Sequence, residues 1–230
     1  MKYLIIGLGI YGSNLAMDLA KQGHEVIGAD VSASKVELIK DFISTAYILD
    51  STDSVALAAL PVTNVDTVIV AIGENFGASI RTVAQLKELG AKQIFARAID
   101  KLHEAILQGF NIDRILTPEQ HAAADLTREM GLGVAVQSLK IDSEHYILRF
   151  ACPDAFVGLK YSDISALHAE NEMQLVAVSR PKMETNILSM VHKKYTIVPL
   201  DNPDQSRAAA GDVLTTFGTF HAYKTLFNSI

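Results

Sequence analysis

Over the first half of the chain, short continuous apolar runs alternate with longer stretches of helical spacing. "YLII" (3–6), "EVIGAD" (25–30), "AYILD" (46–50), "DTVIVAIG" (66–73), "QIFARA" (93–98) and "DRIL" (113–116) have the unbroken apolar character of strands covered on both faces. "SNLAMDLAKQG" (13–23), "SASKVELIKDF" (32–42), "STDSVALAAL" (51–60), "FGASIRTVAQLKELG" (76–90), "DKLHEAILQGF" (100–110) and "TPEQHAAADLTREMG" (117–131) carry the helical period. Ser or Thr residues are expected to cap the helices over 32–42 and 51–60, and Thr117 with Pro118 to open the last. Strict alternation of this kind predicts a parallel sheet wound with helices on both sides.

The pattern changes near Gly131–Gly133. "VAVQSLKIDSEHYILRFACP" (134–153) reads as extended, "LKYSDISALHAE" (159–170) as a short helix, and "MQLVAVSRP" (173–181) as a strand. "YTIVPLD" (195–201) reads as a strand interrupted by Pro199, "DVLTTFGTF" (212–220) as a strand, and "HAYKTLFNSI" (221–230) as a terminal helix. The expected organisation is an α/β, Rossmann-like, doubly wound domain over 1–134, followed by a small α+β domain over 135–230. "HKKY" (192–195) is read as a solvated turn, and His103 and His121 as surface residues of their helices.

The charge is −6 over 230 residues with acids and bases interspersed, which argues against nucleic acid as a partner. A single cysteine, Cys152, cannot form an internal disulfide and fits a reducing compartment. Apolar runs fall short of the roughly 20 residues that cross a bilayer, so a soluble, cytoplasmic protein is expected.

The candidate chemistry lies at the ends of the predicted strands. "GLGIYG" (7–12) places Gly7, Gly9 and Gly12 between the first strand and the first helix. Gly7 suits the tight turn, Gly9 the close approach of a phosphate, and Gly12 the packing of helix on strand; the helix N-terminus then faces the phosphate. Asp30 closes the second strand, near the spacing of a carboxylate that holds ribose hydroxyls without a 2′-phosphate. Asp50, Ser51 and Thr52 either read an adenine amino group or only cap the next helix. Gly73 leaves room for phosphate after the fourth strand. Arg97, ending the fifth, either pairs with phosphate or forms a surface ion pair. Glu119 suits the first turn of its helix by its charge alone, and can otherwise ligate a divalent cation or meet another subunit. No catalytic base with an orienting partner and no Cys/His metal spacing is evident.

"GLGIYG" with Asp30, "LDSTD" (49–53), "TVIVAIGEN" (67–75), "IFARA" and "DRILTPEQHAA" (113–123) resemble the nucleotide-binding domain of the RCK (KTN) family, the cytoplasmic regulatory subunits of Trk/Ktr-type potassium uptake systems. "FVGLKYSDI" (156–164), and Gly211, Asp212, Val213, Leu214 with Gly218, are similar to its small RCK-C domain. The resemblance implies an adenine nucleotide ligand (NAD, ADP, ATP or AMP), with Gly7, Gly9, Ile10, Tyr11 and Gly12 at the phosphates, Asp30 and Val31 at the ribose, Asp50, Ser51 and Thr52 at the adenine, Ala71, Ile72 and Gly73 lining the pocket, and Arg97 facing phosphate. It implies a divalent cation near Glu119, pairing through the helix 118–131, an octameric ring, and a membrane potassium transporter or channel gated by that ring from the inner face of the membrane. Members that respond to ATP often carry Arg where this chain has Ile10, and an apolar side chain cannot neutralise a γ-phosphate. The alternative activity is an NAD-dependent oxidoreductase with residues 1–130 as cofactor domain, which needs a proton donor that residues 135–230 do not offer at a recognisable position. A scaffold that holds nucleotide permanently is a third reading.

Overall fold

The six apolar runs of the first half form six parallel strands in a computed structural model that describes residues 1–185, 191–200 and 206–229. The strands are β1 (Lys2–Ile6), β2 (Glu25–Asp30), β3 (Thr45–Ile48), β4 (Thr67–Val70), β5 (Ile94–Arg97) and β6 (Arg114–Leu116), in the spatial order β3-β2-β1-β4-β5-β6. The order reverses between β1 and β4, the position at which open α/β sheets take ligands. The helices between them are α1 (Ile10–Lys21), α2 (Ala33–Ile39), α3 (Ser54–Ala58), α4 (Phe76–Glu88) and α5 (Lys101–Gly109). The unbroken apolar runs follow from two cores. Leu4, Ile6, Val68 and Val70 face one with Leu57, Val83, Leu86 and Leu107; Ile5, Val26 and Ile69 face the other with Ala16, Val36 and Ile39.

The next helix, α6, spans Pro118–Leu132, and the two compact units, Met1–Gln120 and His121–Ile230, divide inside it. The expected boundary at 134/135 lies just past its end. The bulk of α6 joins the second unit because Leu132 is part of that unit's core, and because Arg128 donates from Nε to Ser138 Oγ (2.9 Å) and lies over the Tyr146 ring.

The second unit holds β7 (Val136–Lys140), β8 (His145–Ala151), α7 (Tyr161–Glu170), β9 (Gln174–Thr185), β10 (Val191–Val198), β11 (Val213–Thr219) and α8 (Phe220–Ser229). Its antiparallel sheet runs β10-β9-β11-β8-β7, with α7 against β9 and α8 against β11. Leu148, Phe150, Val178 and Leu214 pack with Tyr161, Ile164, Tyr223 and Leu226. Below the surface, Asp212 accepts from Arg180 Nε (2.7 Å), Arg180 Nη2 (2.8 Å), Tyr161 Oη (2.8 Å) and the Ala209 N–H (2.8 Å). Burial and then the Asp212 bond push the Tyr161 phenol up to about 12.

Several expectations are corrected. "HKKY" is part of β10, with Lys193 opposite Met183, so the basic residues decorate a strand rather than a turn. That strand ends at Val198, before Pro199, while β9 runs on past Pro181 to Thr185. Pro181 is tolerated because β11 pairs with β9 only as far as Ser179. Asp201 and Ile230, which end two expected elements, lie outside the described residues. Asp53, not a Ser or Thr, caps α3, accepting from Val55 N (2.9 Å), and no side chain caps α2. His103 is buried rather than on the surface, its ring 4.9 Å from that of Phe76. His168 is also buried and donates from Nδ1 to the Ile164 carbonyl (2.7 Å).

Two outcomes follow from the buried polar groups. Asp212→Ala strands the Tyr161 hydroxyl and the Ala209 N–H, so urea unfolding of the full chain followed by circular dichroism should register a loss of about 2–4 kcal/mol. Burial holds the imidazoles of His103 and His168 below their usual 6.5. The unfolded chain therefore takes up protons that the folded chain refuses, so stability is full above that pH and declines as pH falls through it. The melting temperature should drop from pH 7 to pH 5, and His168→Gln should flatten that slope.

Candidate functional site

At the carboxyl edge of the six-stranded sheet, the chain leaves β1 in a turn that only glycine can make at two of its positions. Gly7 has φ +97° and gives its N–H to the Ala29 carbonyl (2.8 Å). A Cβ on Gly12 would overlap the Gly7 carbonyl oxygen, so the first turn of α1 lies directly on the backbone of the loop. Ser13 Oγ donates to the Leu8 carbonyl (2.8 Å) and closes the turn. Gly9 differs from both. It precedes α1 with φ −68°, no side chain caps the helix there, and nothing lies within 4 Å of where its Cβ would stand. The absent side chain leaves open space above the free N–H groups of α1, as a phosphate requires.

Asp30, only 8% exposed, ties the end of β2 to this loop. Its Oδ2 accepts from the Leu8 N–H (2.7 Å) and its Oδ1 from the Ser32 N–H (2.8 Å). Each oxygen retains a further lone pair for a hydroxyl donor. Ile10, 87% exposed, and Val31, 69% exposed, present apolar side chains to solvent from the first turn of α1 and from the residue after β2.

The 50–52 corner resolves in an unexpected way. Asp50 Oδ1 accepts from the N–H and the hydroxyl of Thr52 (both 2.8 Å), and the Thr52 backbone bond, foremost, holds the carboxyl below its usual value. Asp50 is exposed and its second oxygen is uncommitted, whereas Ser51 is buried and shares a hydrogen bond with Thr82 Oγ1 (2.9 Å). Gln85 Nε2 donates to the Thr52 carbonyl (3.1 Å). Thr82 and Gln85 on α4 thus hold the corner in place. Sequence reasoning missed them, although polar Ser79, Thr82 and Gln85 at a spacing of three on an amphipathic helix were the available signal.

Past β4, Ala71 is buried and Ile72 Cγ1 would stand 3.1 Å from a Cβ on Gly7. A Cβ on Gly73 would overlap the Arg97 guanidinium, which lies 5.8 Å from the Tyr11 ring centroid and pairs with the Glu119 carboxylate. The structure therefore brings Gly7–Gly12, Asp30, Ala71–Gly73, Arg97 and Glu119 to one edge. It shows Arg97 in an ion pair. Glu119 faces a cation of the chain itself, and among the described residues no three His, Cys, Asp or Glu side chains gather as a metal site.

The open glycine and the jammed one have opposite consequences. Gly9→Leu should leave the melting temperature within a few degrees of the parent but abolish nucleotide binding in calorimetry. Gly12→Ala forces helix and loop backbones apart, and should lower stability by roughly 2–4 kcal/mol, read as a fall in the thermal midpoint.

The TrkA-N domain family matches residues 3–118. The chain is 33% identical over 181 residues to Ktr system potassium uptake protein C of Bacillus subtilis (strain 168), covering 79% of this chain and 81% of that one. It is 30% identical over 147 residues to Ktr system potassium uptake protein A of the same organism, covering 64% and 66%. Among solved structures, the GsuK RCK domain superposes with a TM-score of 0.61 at 15% identity over 99% of this chain, which spans about half that chain's length (47%). The GsuK channel bound to NAD also gives 0.61, at 16% identity, over 98% of this chain and 39% of that one. With the TrkA-N match over half its length, a Ktr relative aligned over four-fifths of that relative, and this fold, the chain belongs to the RCK/KTN family of regulatory subunits, whose nucleotide-binding half is the TrkA-N domain.

Proposed function

We propose that this chain is a nucleotide-sensing regulatory subunit of a membrane potassium transporter or channel, and that it performs no bond chemistry on its ligand. The observation that carries the reading is the contrast within one turn: Gly7 and Gly12 are jammed against backbone while Gly9 faces empty space over a helix N-terminus. The names of the Ktr relatives and the NAD-bound GsuK structure support the partner and the ligand class. In this reading Gly7, Gly9, Ile10, Tyr11 and Gly12 meet the phosphates, Asp30 and Val31 the ribose, and the free oxygen of Asp50 the adenine, with Ser51 and Thr52 as backbone support. Ala71, Ile72 and Gly73 form the floor and Arg97 takes a phosphate.

The described residues include no helix long and apolar enough to cross a membrane, so contact with the ion path comes through a membrane subunit. The chain acts in the cytoplasm, on the inner face of the membrane, as a homo-oligomeric ring of paired RCK domains. A ligand shifts the ring between two shapes only by binding one better than the other; a tenfold preference supplies about 1.4 kcal/mol per site, and coupled sites multiply the effect.

Native mass spectrometry of the purified protein, with identification of any nucleotide carried through purification, tests this directly. An oligomer holding an adenine nucleotide, which then alters potassium flux by the membrane subunit, is the expected result. Turnover of NADH, or a monomer that binds no nucleotide, would overturn it.

A further inference from the structure

Arg97 is held by three contacts that leave most of its donors idle. Its guanidinium fills the space that Gly73 leaves, lies over the Tyr11 ring, and pairs through Nη2 with Glu119. The side chain is only 19% exposed, and its Nε–H is buried with no partner. A guanidinium presents five donors in a planar fork suited to carboxylate and phosphate alike. Tyr11 belongs to the first turn of α1, so the fork stands beside the helix N-terminus that the glycine turn opens. Glu119, by contrast, is 61% exposed and opens α6, the helix by which the chain leaves the first unit. A divalent cation needs several oxygen ligands. Glu119 is one carboxylate, already matched by a positive charge.

We propose that Glu119 is a built-in competitor for the phosphate face of Arg97, occupying it when the nucleotide site is empty and giving it up to a ligand phosphate. This rests on the nucleotide reading of the site and adds to it a residue that sets ligand affinity and reports occupancy. The exchange is one anion for another on the same fork, so the charge on Arg97 is never left unpaired. The released Glu119 is exposed and returns to water at little cost. Its departure removes a tie between β5 and the first turn of α6. Occupancy of the cleft thereby loosens the start of that helix without any cation taking part.

The test measures AMP and NAD affinity by titration calorimetry in EDTA, with the full chain. Glu119→Gln keeps the shape, removes the competitor, and should tighten both ligands 3- to 10-fold. Arg97→Gln should weaken them at least 10-fold, and adding Glu119→Gln to it should change nothing further. Amide hydrogen exchange at 119–124 should quicken when NAD is added to the parent protein, and should already be fast in Glu119→Gln without ligand. Weaker binding by Glu119→Gln, or an effect that appears only when magnesium replaces EDTA, would make Glu119 a cation ligand and overturn the competition. An unchanged affinity would overturn it as well. If the parent protein binds neither AMP nor NAD, the nucleotide reading fails and this one with it; if it binds both and only the Glu119 effects are absent, the nucleotide reading stands alone.

Discussion

Backbone lies on backbone where α1 starts, and the geometry of the first unit depends on that contact. The Cα of Gly12 lies so close to the Gly7 carbonyl that no side-chain atom fits between them. Because α1 cannot be pushed back, its N-terminus points at the end of β1 and its free N–H groups converge over Gly9. Asp30 extends the constraint sideways: by accepting from Leu8 and Ser32 it fastens the end of β2 to the same loop. The cleft is thus pre-formed by main-chain contacts and one buried carboxylate, which lowers the ordering cost of taking up a ligand.

The polar groups around the cleft divide between support and contact. Ser51, Thr82 and Gln85 satisfy one another and the Thr52 carbonyl, which makes them struts. Asp50, Gly9 and the exposed apolar rim of Ile10 and Val31 remain open to solvent. Arg97 belongs to both groups, buried along its stem and paired at its tip. Of the charged groups, Glu119 pairs with Arg97, Asp30 is spent on the Leu8 and Ser32 N–H groups, and Asp50 lies within the influence of Arg81.

The second unit solves a different problem. A five-stranded antiparallel sheet with helices over one set of side chains carries its largest buried charge at Asp212, and four donors converge on it. That cluster joins α7, β9 and the entry to β11, and so holds the small domain together where its apolar core alone is modest.

The sequence by itself determined the strand–helix alternation, the six-stranded parallel sheet and the pairing of Gly7, Gly9 and Gly12 with Asp30, because these depend on period, on unbroken apolar runs and on the unique freedom of glycine. It also singled out Arg97 and Glu119 as candidates by their positions at a strand end and a helix start, while leaving open a surface ion pair for the one and simple helix-dipole stabilisation for the other. Tertiary structure alone decided which glycine is open and which is jammed, since that is a matter of distance to residues far along the chain. It alone placed His103 and His168 inside, because a helix of mixed polarity does not declare which face its neighbours cover. It made a strand of "HKKY", whose partner Pro181–Glu184 no local pattern announces, and it divided the units within α6, whose first turn answers to Arg97 and whose last turns answer to Ser138, Tyr146 and the second core. Those outcomes rest on contacts between residues distant in sequence, which periodicity and spacing do not encode.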